Sequence, residues 1–176
     1  MAWSMLKRKP RGADAGAGLY AAAVAQARRP AFYVELGVPD SANGRFELYS
    51  LHVILLLRRL KRGGEGSGET AQVLFDTFVS SLDDALREQG VGDLSVAKKM
   101  RKLGEAFYGR VKSYDEAFDL LPGSEPLRTL VTRTAGAEGG DAERLTAYIV
   151  RALEALEAQS DAALFEGRVD WPEVTA

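Results

Sequence analysis

The sequence predicts an all-α, single-domain bundle of about six to seven helices with a buried central helix. Three observations carry that expectation. Apolar residues recur at spacings of three and four along the longer segments, strand-like alternation persists nowhere, and turns rich in Gly, Pro and Asp separate the segments. The 176 residues suit one domain, and at 46% hydrophobic they supply an ordinary core without disulfides or metals.

Residues 1–18 are basic, Gly/Ala-rich and aperiodic, the composition of a mobile tail. Within them, Trp3, Met5 and Leu6 beside Lys7, Arg8 and Lys9 would give at most a weak membrane-surface contact. The helical domain is expected over 19–160, with a C-terminal tail over 161–176. A first helix from Leu19 to Arg28 stops at Pro30, and Gly37-Val38-Pro39-Asp40 is a turn. The next helix, from about Gly44 to Lys61 with Asn43 or Ser41 as its N-cap, is apolar around most of its circumference and should form the buried centre.

Gly63 to Gly68 is a flexible loop by composition. A helix from Glu69 to Gln89 turns Val73, Leu74, Phe75, Phe78, Leu82 and Leu86 toward the core. Gly90 ends it, and Asp93 is placed to cap a helix from Leu94 to Ser113 with its apolar stripe at Val96, Met100, Leu103, Phe107 and Val111. Shorter helices follow at Asp115 to Leu121 and Glu125 to Thr134, and a last one at Asp141 to Gln159.

Chemistry is sparsely provided for. Cysteine is absent and His52 is the one histidine, so thiol nucleophiles and the usual zinc ligand sets cannot be assembled within one chain. Gly63-x4-Gly68-Glu69-Thr70 misses the phosphate-loop pattern, because Glu69 stands where a lysine would neutralise phosphate and a helix precedes it. His52 lies inside the most apolar helix, where a hydrogen-bonded core histidine is the simplest reading and a haem ligand the sharper alternative. The groups Asp83-Asp84-Glu88 and Glu154-Glu157-Asp161 read as solvated helix faces. No catalytic residue, metal site or cofactor is expected.

With 23 basic against 25 acidic residues, the net charge of -2 gives no global attraction to nucleic acid, and no DNA partner is expected. One local excess stands out: Lys98, Lys99, Arg101, Lys102, Arg110 and Lys112 share a helix with Glu105 as its only acid. Such a ridge suits an acidic protein surface, RNA or anionic lipid. The loop from Gly37 through Arg45-Phe46 is a second candidate surface. The start lacks the apolar run of a secretory signal and no stretch approaches the roughly 20 apolar residues of a span, so a cytoplasmic place is expected, peripheral contact with the inner membrane staying open.

Two groups of residues resemble a known family. Arg29-Pro30-Ala31-Phe32-Tyr33, Gly37-Val38-Pro39-Asp40, Gly44-Arg45-Phe46-Glu47 and Leu51-His52 are similar to the opening of the ubiquinol–cytochrome c chaperone domain. Leu86-Arg87-Glu88-x-Gly90-Val91-Gly92-Asp93-Leu94, Lys98-Lys99 and Glu105-Ala106-Phe107-Tyr108-Gly109-Arg110 resemble its second half, in the same order. The resemblance implies a non-enzymatic, bacterial-type assembly factor for the ubiquinol:cytochrome c oxidoreductase complex. Its client would be cytochrome b or another membrane subunit, met near the ribosome or inner membrane, with or without a small helper subunit. The residues expected to hold the partner are Arg45, Phe46, Lys98, Lys99, Arg101, Lys102, Tyr108 and Arg110. The competing readings are a small-molecule or haem carrier using His52 and an RNA- or ribosome-associated protein.

Overall fold

The computed structural model describes residues 11–175 and contains helices only. The expected tail residues 1–10, Trp3, Met5 and Leu6 among them, lie outside the described residues. Helix α1 (Arg11–Ala27) begins eight residues before the predicted Leu19. Alanine is the best helix former, and the glycines that look like linker serve close packing: a Cβ on Gly16 would stand 2.6 Å from the Cβ of Val73 on the facing helix. Then come α2 (Ala31–Val34), α3 (Ala42–Lys61), α4 (Ser67–Glu88), α5 (Asp93–Asp119), α6 (Glu125–Ala135), α7 (Gly139–Ala158) and α8 (Asp161–Phe165).

Helix α3 is the centre of the bundle, as its all-round apolar pattern predicts. It touches α1, α4, α5, α6 and α7, and Leu48, Leu51, Val53, Ile54, Leu55, Leu56 and Leu60 are at most 2% exposed. Ser41 is its N-cap, its hydroxyl accepting from the Gly44 amide at 3.1 Å. Pro39 and Gly44 close this entry so tightly that a Cβ on Gly44 would meet the Pro39 carbonyl oxygen at 2.0 Å.

Basic residues at the end of α3 do more than offset their own helix dipole. Arg59, 8% exposed, donates to the carbonyls of Leu156 and Gln159 at 2.9 and 2.8 Å and to Asp161 at 2.7 Å. It thereby bonds carbonyls at the C-terminal end of α7, where intrahelical donors run out and the Leu156 carbonyl otherwise has only the Gln159 amide at 3.3 Å. Asp161 also accepts from the Gly64 amide, which ties down the Gly-rich loop expected to be flexible.

Helix α5 differs from expectation in two ways. The segments predicted at Leu94–Ser113 and Asp115–Leu121 form one helix, α5, because nothing between Ser113 and Asp115 breaks it. Asp93 is not the cap of that helix. Gly92 takes the N-cap position, while Asp93 lies in the first turn and pairs with Arg87.

The solitary histidine is a core residue, fully buried and bonded at both ring nitrogens. The Leu48 carbonyl can only accept, so Nδ1 carries the proton and donates to it at 2.7 Å. The Tyr148 hydroxyl donates to Nε2 at 2.8 Å and itself accepts from the Gln26 amide at 3.0 Å. Gln26 also donates to the Pro172 carbonyl, so one polar chain links α1, α3, α7 and the C-terminal segment. Trp171 presents ring to ring against His52 at 5.0 Å.

A candidate partner-binding face on helices α3, α4 and α5

The predicted partner residues lie on α3 and α5, in four different situations. Arg110 is spent internally. Its guanidinium donates from Nε and Nη2 to the two carboxylate oxygens of Glu47, both at 2.8 Å. The Glu47 side chain is 3% exposed, and the pair locks α3 to α5. Arg110 is therefore a fastener of this face, not a free cation on it.

Arg45 and Phe46 border a groove between the start of α3, the second half of α4 and the middle of α5. Its volume is about 240 Å³, and Tyr49, Leu82, Leu86 and Leu103 complete its apolar walls. Leu82, Leu86 and Leu103 were expected inside the core. The apolar stripes of α4 and α5 instead run past the body they cover, and these residues stay half-buried at the edge of an open cleft. Arg45 lies between this groove and a second hollow of about 360 Å³ lined by Arg28, Pro30, Tyr33, Val34 and Asp40. Asp40 binds Arg45 at 2.7 Å, which holds its carboxyl below the usual carboxylate range. Val34, 80% exposed, is an apolar side chain beside that hollow which the sequence reading passed over.

Lys98, Lys99, Arg101 and Lys102 are all exposed, as the ridge predicts. Arg101 lies 3.4 Å from Glu105, whereas Lys98, Lys99 and Lys102 form no ion pair among the described residues. Helical spacing divides them: Lys99 shares a line with Leu103 and Arg110 toward α3, while Leu94, Lys98 and Arg101 share the outer line. Tyr108 stands apart from the groove, 63% exposed, its ring 6.0 Å from that of Phe75 on α4.

A wider cleft of about 690 Å³ between the 121–124 turn, α6 and α7 is lined by both charge signs and contains none of the motif residues. His52 offers no ligand atom, since both ring nitrogens are bonded and burial pushes its pKa down to about 4. Among the described residues no cluster of His, Asp and Glu could hold a metal ion, and no helix is long and apolar enough to cross a membrane.

Helix order and a polar core around one histidine define a single all-helical domain. The chain belongs to the ubiquinol-cytochrome C chaperone family, which it matches over residues 34–171. It is 22% identical over 144 residues to ubiquinol-cytochrome-c reductase complex assembly factor 1 of Xenopus laevis, covering 80% of this chain and 72% of that one. The human assembly factor 1 is 23% identical over 158 residues, which span 87% of this chain but 52% of the human protein. The crystal structure of the Cbp3 homolog from Brucella abortus superposes with a TM-score of 0.82 at 35% identity, covering 93% of this chain and 92% of that one.

Proposed function

We propose that this chain binds cytochrome b, or another membrane subunit of the ubiquinol:cytochrome c oxidoreductase complex, and shields it during assembly. It does so by contact and not by bond chemistry, through the face built from α3, α4 and α5. One observation supports this reading above the others. The two motif groups, remote in sequence, meet here: Glu47 of the first grips Arg110 of the second, on helices that also carry an open apolar groove and exposed lysines without an ion pair among the described residues. A surface that is both apolar and charged fits a client that must be kept from aggregating before it joins its complex.

Such a client places the chaperone at the membrane surface while it works, as a peripheral partner. Affinity capture from the native cell in mild detergent should recover the subunit, and neutralising Lys98, Lys99 and Lys102 together should weaken recovery. Repeated failure to capture it, with normal levels of the respiratory complex in a deletion strain, refutes the reading.

A further inference from the structure

Resting on that reading for the identity of the client, we infer that the groove between α3, α4 and α5 is an anchor pocket for an apolar side chain followed closely by carboxylates. Size comes first. At about 240 Å³ the groove falls below the roughly 300–1,000 Å³ of small-molecule sites, and it has room for one or two large side chains. Its walls are the half-buried Phe46, Tyr49, Leu82, Leu86 and Leu103, the kind of apolar cavity in which interface anchors sit.

Charge then selects the flank of that anchor. Among the described residues no carboxylate lines the groove, while Arg45 stands at its α3 side. Lys99, one turn before Leu103, and its neighbour Lys102 are exposed and without an ion pair among the described residues. The carboxylates nearby are turned away or occupied. Asp40 holds Arg45 from the adjoining hollow, and Asp83 is bound by Arg87. Asp84 and Glu88 lie, by helical spacing, on the side of α4 opposite Leu82 and Leu86. An acidic flank therefore meets uncompensated cations, and a basic one meets repulsion. The walls also disfavour single-stranded nucleic acid: Tyr49 is engaged by Arg28 at 3.0 Å and Phe46 is half-buried, leaving no open ring for a base to stack on.

The test uses the full chain and two fluorescein-labelled peptides, acetyl-LLFLEE-amide and acetyl-LLFLKK-amide, followed by fluorescence anisotropy. The acidic peptide should bind about tenfold more tightly or better, the double exchange Lys99→Glu/Lys102→Glu should reverse that order, and Phe46→Ala should weaken both peptides. Circular dichroism should show unchanged helix content for the lysine exchanges, which are on the surface. Equal affinities, a preference untouched by the charge reversal, or stronger binding of a uridine oligonucleotide would each overturn the inference. The chaperone reading fails separately. Peptides that do not bind, with client capture intact, remove the anchor pocket alone; peptides that bind as stated, with no client captured, remove the chaperone reading and leave the pocket.

Discussion

Glu47 and Arg110 lie 63 residues apart in the chain and form a bidentate ion pair, with both carboxylate oxygens accepting at 2.8 Å. The carboxylate is 3% exposed and the guanidinium 26%, so water screens one end of the pair only. The geometry is the planar fork for which arginine is suited and lysine is not.

Removing the arginine alone is therefore expected to hurt. Arg110→Ala leaves a buried, unpaired carboxylate and should cost about 2–3 kcal/mol, reduced from the cost of a fully buried pair by the exposure of Arg110. That corresponds to a drop of about 4–12 °C in thermal midpoint for a chain of this size. Replacing both partners, as Glu47→Met/Arg110→Leu, should recover most of the loss in the same melting experiment. A double variant as unstable as the single one would show that the pair's worth lies elsewhere than in mutual compensation.

A second expectation concerns acid. Burial lowers the His52 pKa to about 4 from an ordinary 6.5. In the window between those values the unfolded chain binds a proton that the folded chain refuses, so stability falls as pH falls. Going from pH 7 to 5 should cost about 2 kcal/mol from this group alone. His52→Gln should flatten that part of the pH profile in urea unfolding, while starting from a lower stability at pH 7 because the bond from Tyr148 is disturbed. A profile unchanged in the variant would assign the acid sensitivity to other groups.

How far the sequence spoke depended on the range of the interaction. The centrality of α3 was legible because an apolar residue stands on every side of it, and the cap was legible to within two candidates, Asn43 and Ser41, because capping is local. Helix α1 was half hidden, since Gly16 reads as linker until the backbone of α4 is seen against it. The cations of α5 could be counted from sequence but not sorted. Only the partner Glu47 shows that Arg110 is internal, and only their exposure, with no ion pair among the described residues, shows that Lys99 and Lys102 are not. The groove itself left no linear signal, because Leu82, Leu86 and Leu103 obey the same spacing as core residues and differ only in lying past the end of the core.

The C-terminal segment should prove to be a strap that the fold needs. Gln159 makes two bonds with the backbone of Asp170, at 2.8 and 3.0 Å, Gln26 holds Pro172, and Trp171 lies against His52. Trp171→Ala removes that ring from a half-buried site and should cost about 2 kcal/mol, or roughly 4–8 °C in thermal midpoint. Trypsin should then cut after Arg168 sooner than in the parent. A variant with unchanged melting and unchanged cleavage would mean that Trp171 merely rests on the bundle.

Two glycines of the motif stretches should respond with opposite signs. Gly37 has φ +65°, and a Cβ there would stand 2.1 Å from a carboxylate oxygen of Asp141, which is itself paired with Arg144. Gly37→Ala therefore meets both a left-handed backbone and a collision, and about 2 kcal/mol or more should be lost. Gly109 lies within α5, and among the described residues an added Cβ would meet nothing within 4 Å beyond its own stretch of helix, so Gly109→Ala should gain about 0.5–1 kcal/mol of helix stability. Thermal melting of both variants checks the signs, and a stabilised Gly37→Ala would contradict the turn geometry outright. Client capture by Gly109→Ala adds a second reading from the same protein. Loss of capture in a more stable variant would place the partner against the line of α5 that Gly109 shares with Lys98 and Lys102, whereas unchanged capture would leave that line without a close contact.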